Sequence, residues 1–211
     1  MVGKTGPQSA QRRHRDQEVA ELQRPQGQHD RSAHQRPLPE AILFDRDDTL
    51  IADVPYNGDP DLVAPMPGAL SGLERIRALG IPVGVVSNQS GIGRGILTRA
   101  QVEAVNARVE QLLGPFDVWE ICPHRAEDRC PCRKPAPRML VDACSTLGVA
   151  PRRTVFIGDI GADVQAAAAA GCTGILVPTA VTLQTEVDAA AHVAVDLAAA
   201  IDLCLDEGGR S

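Results

Sequence analysis

Two carboxylates stand two residues apart at the end of a short apolar run, Ala41-Ile42-Leu43-Phe44 leading into Asp45-Arg46-Asp47-Asp48-Thr49. A pair so placed can divide the work of phosphoryl transfer. Asp45 can attack phosphorus in line, while Asp47 protonates the leaving alkoxide and later activates water. A phosphoryl group is a dianion, so a carboxylate nucleophile needs a cation to suppress repulsion, and Mg²⁺ with oxygen ligands suits that task. Three further clusters carry matching chemistry. Ser87-Asn88 closes a second apolar run and offers a hydroxyl and an amide to a phosphate oxygen. Arg133-Lys134 supplies positive charge against the charge that develops during transfer. In Ile157-Gly158-Asp159-Ile160-Gly161-Ala162-Asp163, Asp159 can complete a magnesium site opposite Asp45, and Asp163 can orient the site or begin a helix.

A different chemistry is concentrated in Cys122-Pro123-His124, five intervening residues, then Cys130-Pro131-Cys132. Three thiols and an imidazole this close match a tetrahedral Cys₃His zinc site, and with all four positions filled by protein the metal would be structural. Such an ion would stiffen the loop and aim Arg133 and Lys134. Cys144, Cys172 and Cys204 lie in helical or apolar contexts and read as ordinary buried thiols. His14, His29, His34 and His192 stand apart from the cluster.

The elements that must position these groups alternate. Strands are expected at 41–44, 81–86, 118–121, 154–157, 173–177 and 192–195. Helices are expected from Gly68 to Leu79, from an N-cap at Thr98 to about Leu113, and over 137–147, 163–170 and 197–205. Strand–helix alternation implies an α/β fold with a doubly wound, mostly parallel sheet, in which ligands sit at the carboxyl ends of the strands. Asp45, Ser87-Asn88, Cys122 and Asp159 all fall at such ends.

Composition supports one domain in the 211 residues, with three Phe, one Trp and one Tyr, so the core must be aliphatic. Residues 1–39 are rich in Gln, Arg and His and poor in large apolar residues, and are expected to be a disordered extension before a folded domain at 40–206. A net charge of -6 argues against general nucleic-acid binding. No apolar window is long enough for a membrane span, and no secretory segment opens the chain. A monomeric cytoplasmic protein acting on a small phosphorylated metabolite is expected.

In order, the Asp45-Arg46-Asp47, Val86-Ser87-Asn88, Arg133-Lys134-Pro135 and Gly158-Asp159 clusters resemble the four motifs of the haloacid dehalogenase-like (HAD) phosphatases, a resemblance covering Glu40 to about Val195. It implies Asp45 as nucleophile and Asp47 as general acid/base. It also implies Ser87 and Lys134 as phosphate ligands, with Asn88 and Arg133 beside them. Mg²⁺ would be held by Asp45, the backbone carbonyl of Asp47, and Asp159. The cysteine loop is similar to the zinc-binding branch that holds heptose 1,7-bisphosphate and histidinol-phosphate phosphatases. Asn88 to Gly95 resembles the heptose enzymes more closely, while the five-residue gap in the loop resembles the histidinol-phosphate enzymes.

Two positions depart from that pattern. Asp48 stands where Gly is usual, and the turn is expected to survive because Asp tolerates unusual backbone angles. Ile160 stands where a cation is common, so a second phosphate would fall to Arg46, Arg94, Arg125 or Arg133. The spacing between motifs leaves no room for a separate cap domain, so an open cleft is expected, with specificity from 52–66, 90–95 and the zinc loop. The expected activity is Mg²⁺-dependent hydrolysis of a sugar phosphate such as heptose 1,7-bisphosphate, with histidinol phosphate as the alternative substrate. A non-catalytic binding protein of the same fold is the alternative class, and the joint presence of Asp45, Asp47, Ser87, Lys134 and Asp159 argues against it.

Overall fold

The computed structural model describes residues 37–205 together with Met1. The expectation of a disordered extension at 1–39 therefore lies almost wholly outside the described residues. Five strands form one parallel sheet: β1 (Ala41–Phe44), β2 (Val83–Asn88), β3 (Val118–Cys122), β4 (Thr154–Gly158) and β5 (Thr173–Leu176). Their order is β3-β2-β1-β4-β5. The chain thus builds outward from β1 on one side, then returns to build on the other, and the crevice between β1 and β4 is the switch point where such sheets bind ligands. Phe44 is level with Val85 on one neighbour and with Ile157 on the other, so the polar residues that follow these strands emerge together.

Alternation along β1 divides the core. Ile42 and Phe44 face a layer made by α1 (Ala69–Ala78), α3 (Arg99–Leu113) and α7 (Leu197–Leu205), which contributes Leu73, Ile76, Val105, Val109 and Ile201. Leu43 faces α4 (Arg138–Leu147) and α5 (Gly161–Ala170), which contribute Leu140, Ala143, Ala166 and Ala167. Strands buried on both faces must be apolar throughout, which is why the Ala-Ile-Leu-Phe run has no polar residue. The start of α3 carries a full capping box: the Thr98 hydroxyl accepts from Gln101 N, and Thr98 N donates to Gln101 Oε1.

The expected strand at 192–195 is reduced to a single bridge between Val193 and Leu176. Only Leu176 pairs with it, donating to His192 O and accepting from Ala194 N. Two short helices were not expected: α2 (Ser90–Gly93), one turn after β2, and α6 (Gln184–Ala189). Between β1 and β2 the chain forms a loop, a 3₁₀ turn at Pro60–Leu62 and α1, so no cap domain is inserted there. Among the described residues no helix is long and apolar enough to cross a membrane.

Candidate active site

Lys134 is the centre of the site. Its ammonium lies 2.8 Å from Asp45 Oδ1 and 2.8 Å from Asp163 Oδ1, and donates to the Val86 carbonyl at 2.8 Å. The side chain is only 2% exposed. The ring of Phe156 lies beneath it, 5.2 Å from the nitrogen. Burial alone would push the ammonium pKa down, but Asp163 and Asp45 on either side carry it above its ordinary value.

Asp45, Asp159 and Asp163 bring one carboxylate oxygen each within 4.8 Å of one another. Burial, with the charges of Asp163 and Asp47 adding to it and Lys134 opposing, pushes Asp45 up to about 7. Burial, then the neighbouring Asp45 and Asp163, pushes Asp159 up to about 8. When all are ionised, three carboxylates against one buried ammonium leave two negative charges in excess, and a hard divalent cation with oxygen ligands fits that set. Asp163 was expected only to orient the site or start a helix. It is fully buried, caps the N-terminus of α5 by accepting from Ile160 N at 3.2 Å, and lies flat against Gly158, where a Cβ would come within 2.4 Å of its carboxyl carbon. Only glycine fits at that strand end.

Asp45 is held on one oxygen. Oδ1 accepts from the backbone N–H of Arg46 at 2.7 Å as well as from Lys134, and Oδ2 makes neither bond. Asp47 points elsewhere. Arg46 donates to it from Nε at 3.1 Å and from Nη2 at 3.2 Å, and Gln89 donates to its Oδ2 at 2.8 Å. The same Gln89 amide also donates to Ser87 Oγ at 2.9 Å, which joins the second carboxylate to the buried hydroxyl of β2. Asn88 turns its amide to Lys134, accepting from the backbone N–H at 3.0 Å and donating to the carbonyl at 3.2 Å. Asp48 adopts φ 53°, the left-handed conformation its turn requires, and its Oδ1 accepts from Asp53 N at 3.0 Å.

Beside Asp47 opens a cleft of about 290 Å³, lined in part by Asp53, Tyr56, Asn57, Asn88 and Ser90. Among the described residues its single lining cation is Arg46, which is 2% exposed and already bound to Asp47 and Asn106. Arg46 is thereby removed from the arginines expected to meet a second phosphate. Arg125 pairs with Asp128 at 3.3 Å, while Arg133 donates to His124 O at 3.4 Å from the base of the cysteine loop.

In that loop Cys122 Sγ lies 3.6 Å from His124 Nδ1, 3.6 Å from Cys130 Sγ and 3.2 Å from Cys132 Sγ. His124 Nδ1 is 3.2 Å from Cys132 Sγ, and Cys130 is 3.4 Å from Cys132. A zinc tetrahedron with Zn–S bonds of about 2.3 Å has S–S edges of about 3.8 Å, and the three sulfur separations fall short of that by roughly 0.2–0.6 Å. Burial and the thiol of Cys132 push Cys122 up to about 12. The loop is tied to the β2–α2 turn by Gln89 N donating to Cys122 O at 2.7 Å and Gly93 N to Pro123 O at 2.9 Å.

Comparison with known proteins decides the family. The chain is 35% identical over 149 residues to a D-glycero-β-D-manno-heptose-1,7-bisphosphate 7-phosphatase of Pseudomonas aeruginosa, covering 68% of this chain and 84% of that one. It belongs to the HAD-like phosphatases. A HAD-hydrolase-like family model matches residues 131–200, from the zinc loop to the last helix. The corresponding 7-phosphatase of Escherichia coli K12 is 34% identical over 163 residues, with 72% of this chain and 85% of that one covered. Among solved structures, the Bordetella bronchiseptica D,D-heptose 1,7-bisphosphate phosphatase, complexed with magnesium and phosphate, superposes with a TM-score of 0.70 at 30% identity, covering 78% of this chain and 97% of that one. As a HAD-like phosphatase the chain is an enzyme, and its parallel sheet is the fold of that family.

Of the residues expected from sequence, Asp45, Asp159 and Lys134 converge directly, while Ser87 and Asp47 are linked to each other through Gln89. Gln89 and Asn106 were not expected. Gln89 lies within the Asn88–Gly95 stretch but had no role of its own there, whereas Asn106 carried no signal in the sequence.

Proposed function

We propose that this enzyme removes the 7-phosphate of a D-glycero-D-manno-heptose 1,7-bisphosphate. The observation that carries the substrate is the 35% identity, across 84% of its length, to a phosphatase named for that reaction. Asp45 attacks phosphorus, using the oxygen that neither Lys134 nor Arg46 N occupies, and becomes an aspartyl phosphate. Asp47 protonates the departing sugar oxygen, then takes a proton from the water that cleaves the acyl phosphate. Lys134 and the Ser87 hydroxyl face the phosphoryl oxygens, and Asn88 fixes Lys134 by its backbone. Asp45, Asp159 and the backbone carbonyl of Asp47 would hold Mg²⁺, which supplies charge neutralisation between the carboxylate and the phosphate dianion. Cys122, His124, Cys130 and Cys132 would hold Zn²⁺ as a structural clip. Arg133, at the base of that clip, is the cation assigned to the distal phosphate.

A second reading is histidinol-phosphate hydrolysis. It is favoured by the five-residue gap of the zinc loop and by the cleft, whose Asp53 suits a cationic leaving group better than an anionic one. Phosphate release with Mg²⁺ from both anomers of the bisphosphate and from histidinol phosphate, side by side, separates the two. Preference for one bisphosphate anomer is expected; preference for histidinol phosphate would replace the substrate and leave the chemistry intact.

A further inference from the structure

Arg46 follows the attacking carboxylate directly, yet its side chain is buried to 2% exposure. Its guanidinium divides its donors between two sides. Nε and Nη2 hold the carboxylate of Asp47 at 3.1 and 3.2 Å, and Nη1 donates to Asn106 Oδ1 at 2.8 Å. A guanidinium is planar, so anchoring one terminal nitrogen fixes the plane in which the other two donate. Asn106 is well suited to be that anchor. It lies inside α3, a helix closed by the Thr98–Gln101 capping box and packed through buried Val102, Val105 and Val109. Asp47 itself sits on a loop, with its side chain 26% exposed at the cleft. Gln89 adds a single bond at 2.8 Å to Oδ2, the oxygen that Arg46 Nη2 also reaches.

We propose that Asn106 is a positioning residue: through the guanidinium of Arg46 it holds the Asp47 carboxylate where it can deliver a proton to the leaving oxygen. The proposal rests on the assignment of Asp47 as general acid/base. It makes a rigid helix, 60 residues away in sequence, responsible for the aim of a carboxylate on a loop. Without the Asn106 oxygen the guanidinium plane is free to turn, and the Asp47 carboxylate turns with it.

The test separates the step that needs a proton from the step that does not. The heptosyl oxygen is a poor leaving group and must be protonated, whereas p-nitrophenolate departs without help. Asn106→Ala, in the full-length magnesium-loaded enzyme, is expected to lower kcat on D-glycero-β-D-manno-heptose 1,7-bisphosphate about tenfold or more with KM little changed. Single-turnover release of p-nitrophenol from p-nitrophenyl phosphate is expected to stay within about twofold of the wild type. Asn106→Asp keeps an acceptor oxygen for Nη1 and is expected to restore most of kcat. An unchanged kcat in Asn106→Ala overturns the proposal, and so does an equal loss in both assays, which would mark a general loosening of the site. Asp47→Asn measured alongside distinguishes the two levels: if it leaves kcat intact the acid/base assignment fails, and if it abolishes kcat while Asn106→Ala does not, only the positioning role fails.

Discussion

The side-chain amide of Asn88 pairs with both backbone groups of Lys134, accepting from the N–H at 3.0 Å and donating to the carbonyl at 3.2 Å. Strand β2 thereby fixes the loop that delivers the site's buried cation. Asn88→Ala removes both bonds and leaves two partly buried polar groups unpaired, so unfolding free energy should fall by about 1–3 kcal/mol. Because Lys134 then loses its fixed backbone, kcat should fall about tenfold or more. Urea denaturation and steady-state kinetics on the same preparation check both halves, and an active but destabilised variant would show that Lys134 is positioned by its ammonium contacts alone.

Those contacts make Lys134 a structural cation as well. Lys134→Met leaves Asp45 and Asp163 buried without their shared partner, a loss expected to cost about 3–5 kcal/mol. Combining it with Asp163→Asn, which removes one of the stranded charges, should recover part of the stability and none of the activity. Thermal melting of the single and double variants measures the coupling, and strictly additive losses would contradict the shared ion pair.

The carboxylate cluster gives the metal-free protein a pH dependence of definite sign. Asp45 and Asp159 are raised from 3.8 to about 7 and about 8 in the folded state. Between those limits the folded chain holds more protons than the unfolded one, so the contribution of this cluster is fully present below pH 3.8 and is lost as pH rises through 7 and 8. Melting in chelator should therefore show stability falling toward alkaline pH, and Asp159→Asn should flatten that slope. Added Mg²⁺ should stabilise most at the alkaline end, where the carboxylates are ionised. Identical pH slopes in the wild type and Asp159→Asn would contradict the cluster's role.

The zinc loop offers a metal test independent of catalysis. The purified chain should carry about one Zn²⁺, lost when Cys130 and Cys132 are both changed to Ser. Because Pro123 O and Cys122 O are bonded to Gly93 and Gln89, loosening the loop should also disturb the turn that presents Gln89 to Asp47. Metal analysis reads the first effect and kcat the second; an undiminished zinc content in the double variant would remove the site.

Much of this was legible in the chain itself, for identifiable physical reasons. Buried parallel strands must be continuously apolar, so the residue that breaks each run marks a strand end, which is how Asp45, Ser87 and Asp159 could be placed on one rim. The cysteine cluster declared itself because its ligands are close in sequence. Asn106 did not, because its partner Arg46 is 60 residues away and a half-buried Asn on a helix resembles any other. Asp163 was visible only as a residue that orients the site or begins a helix, since its burial against Gly158 depends on tertiary packing. The apolar stretch near Val193 read as a strand, but only Leu176 pairs with it.

The central claim is that Asp45 becomes phosphorylated. Rapid quenching of the magnesium-loaded enzyme with heptose 1,7-bisphosphate, followed by peptide mass spectrometry under acid, tests it directly. The account predicts one transient phosphoryl group on the peptide containing Asp45, absent in Asp45→Asn, which should fold and release no phosphate. Undiminished turnover by purified Asp45→Asn, or a phosphoryl group on another residue, would contradict it.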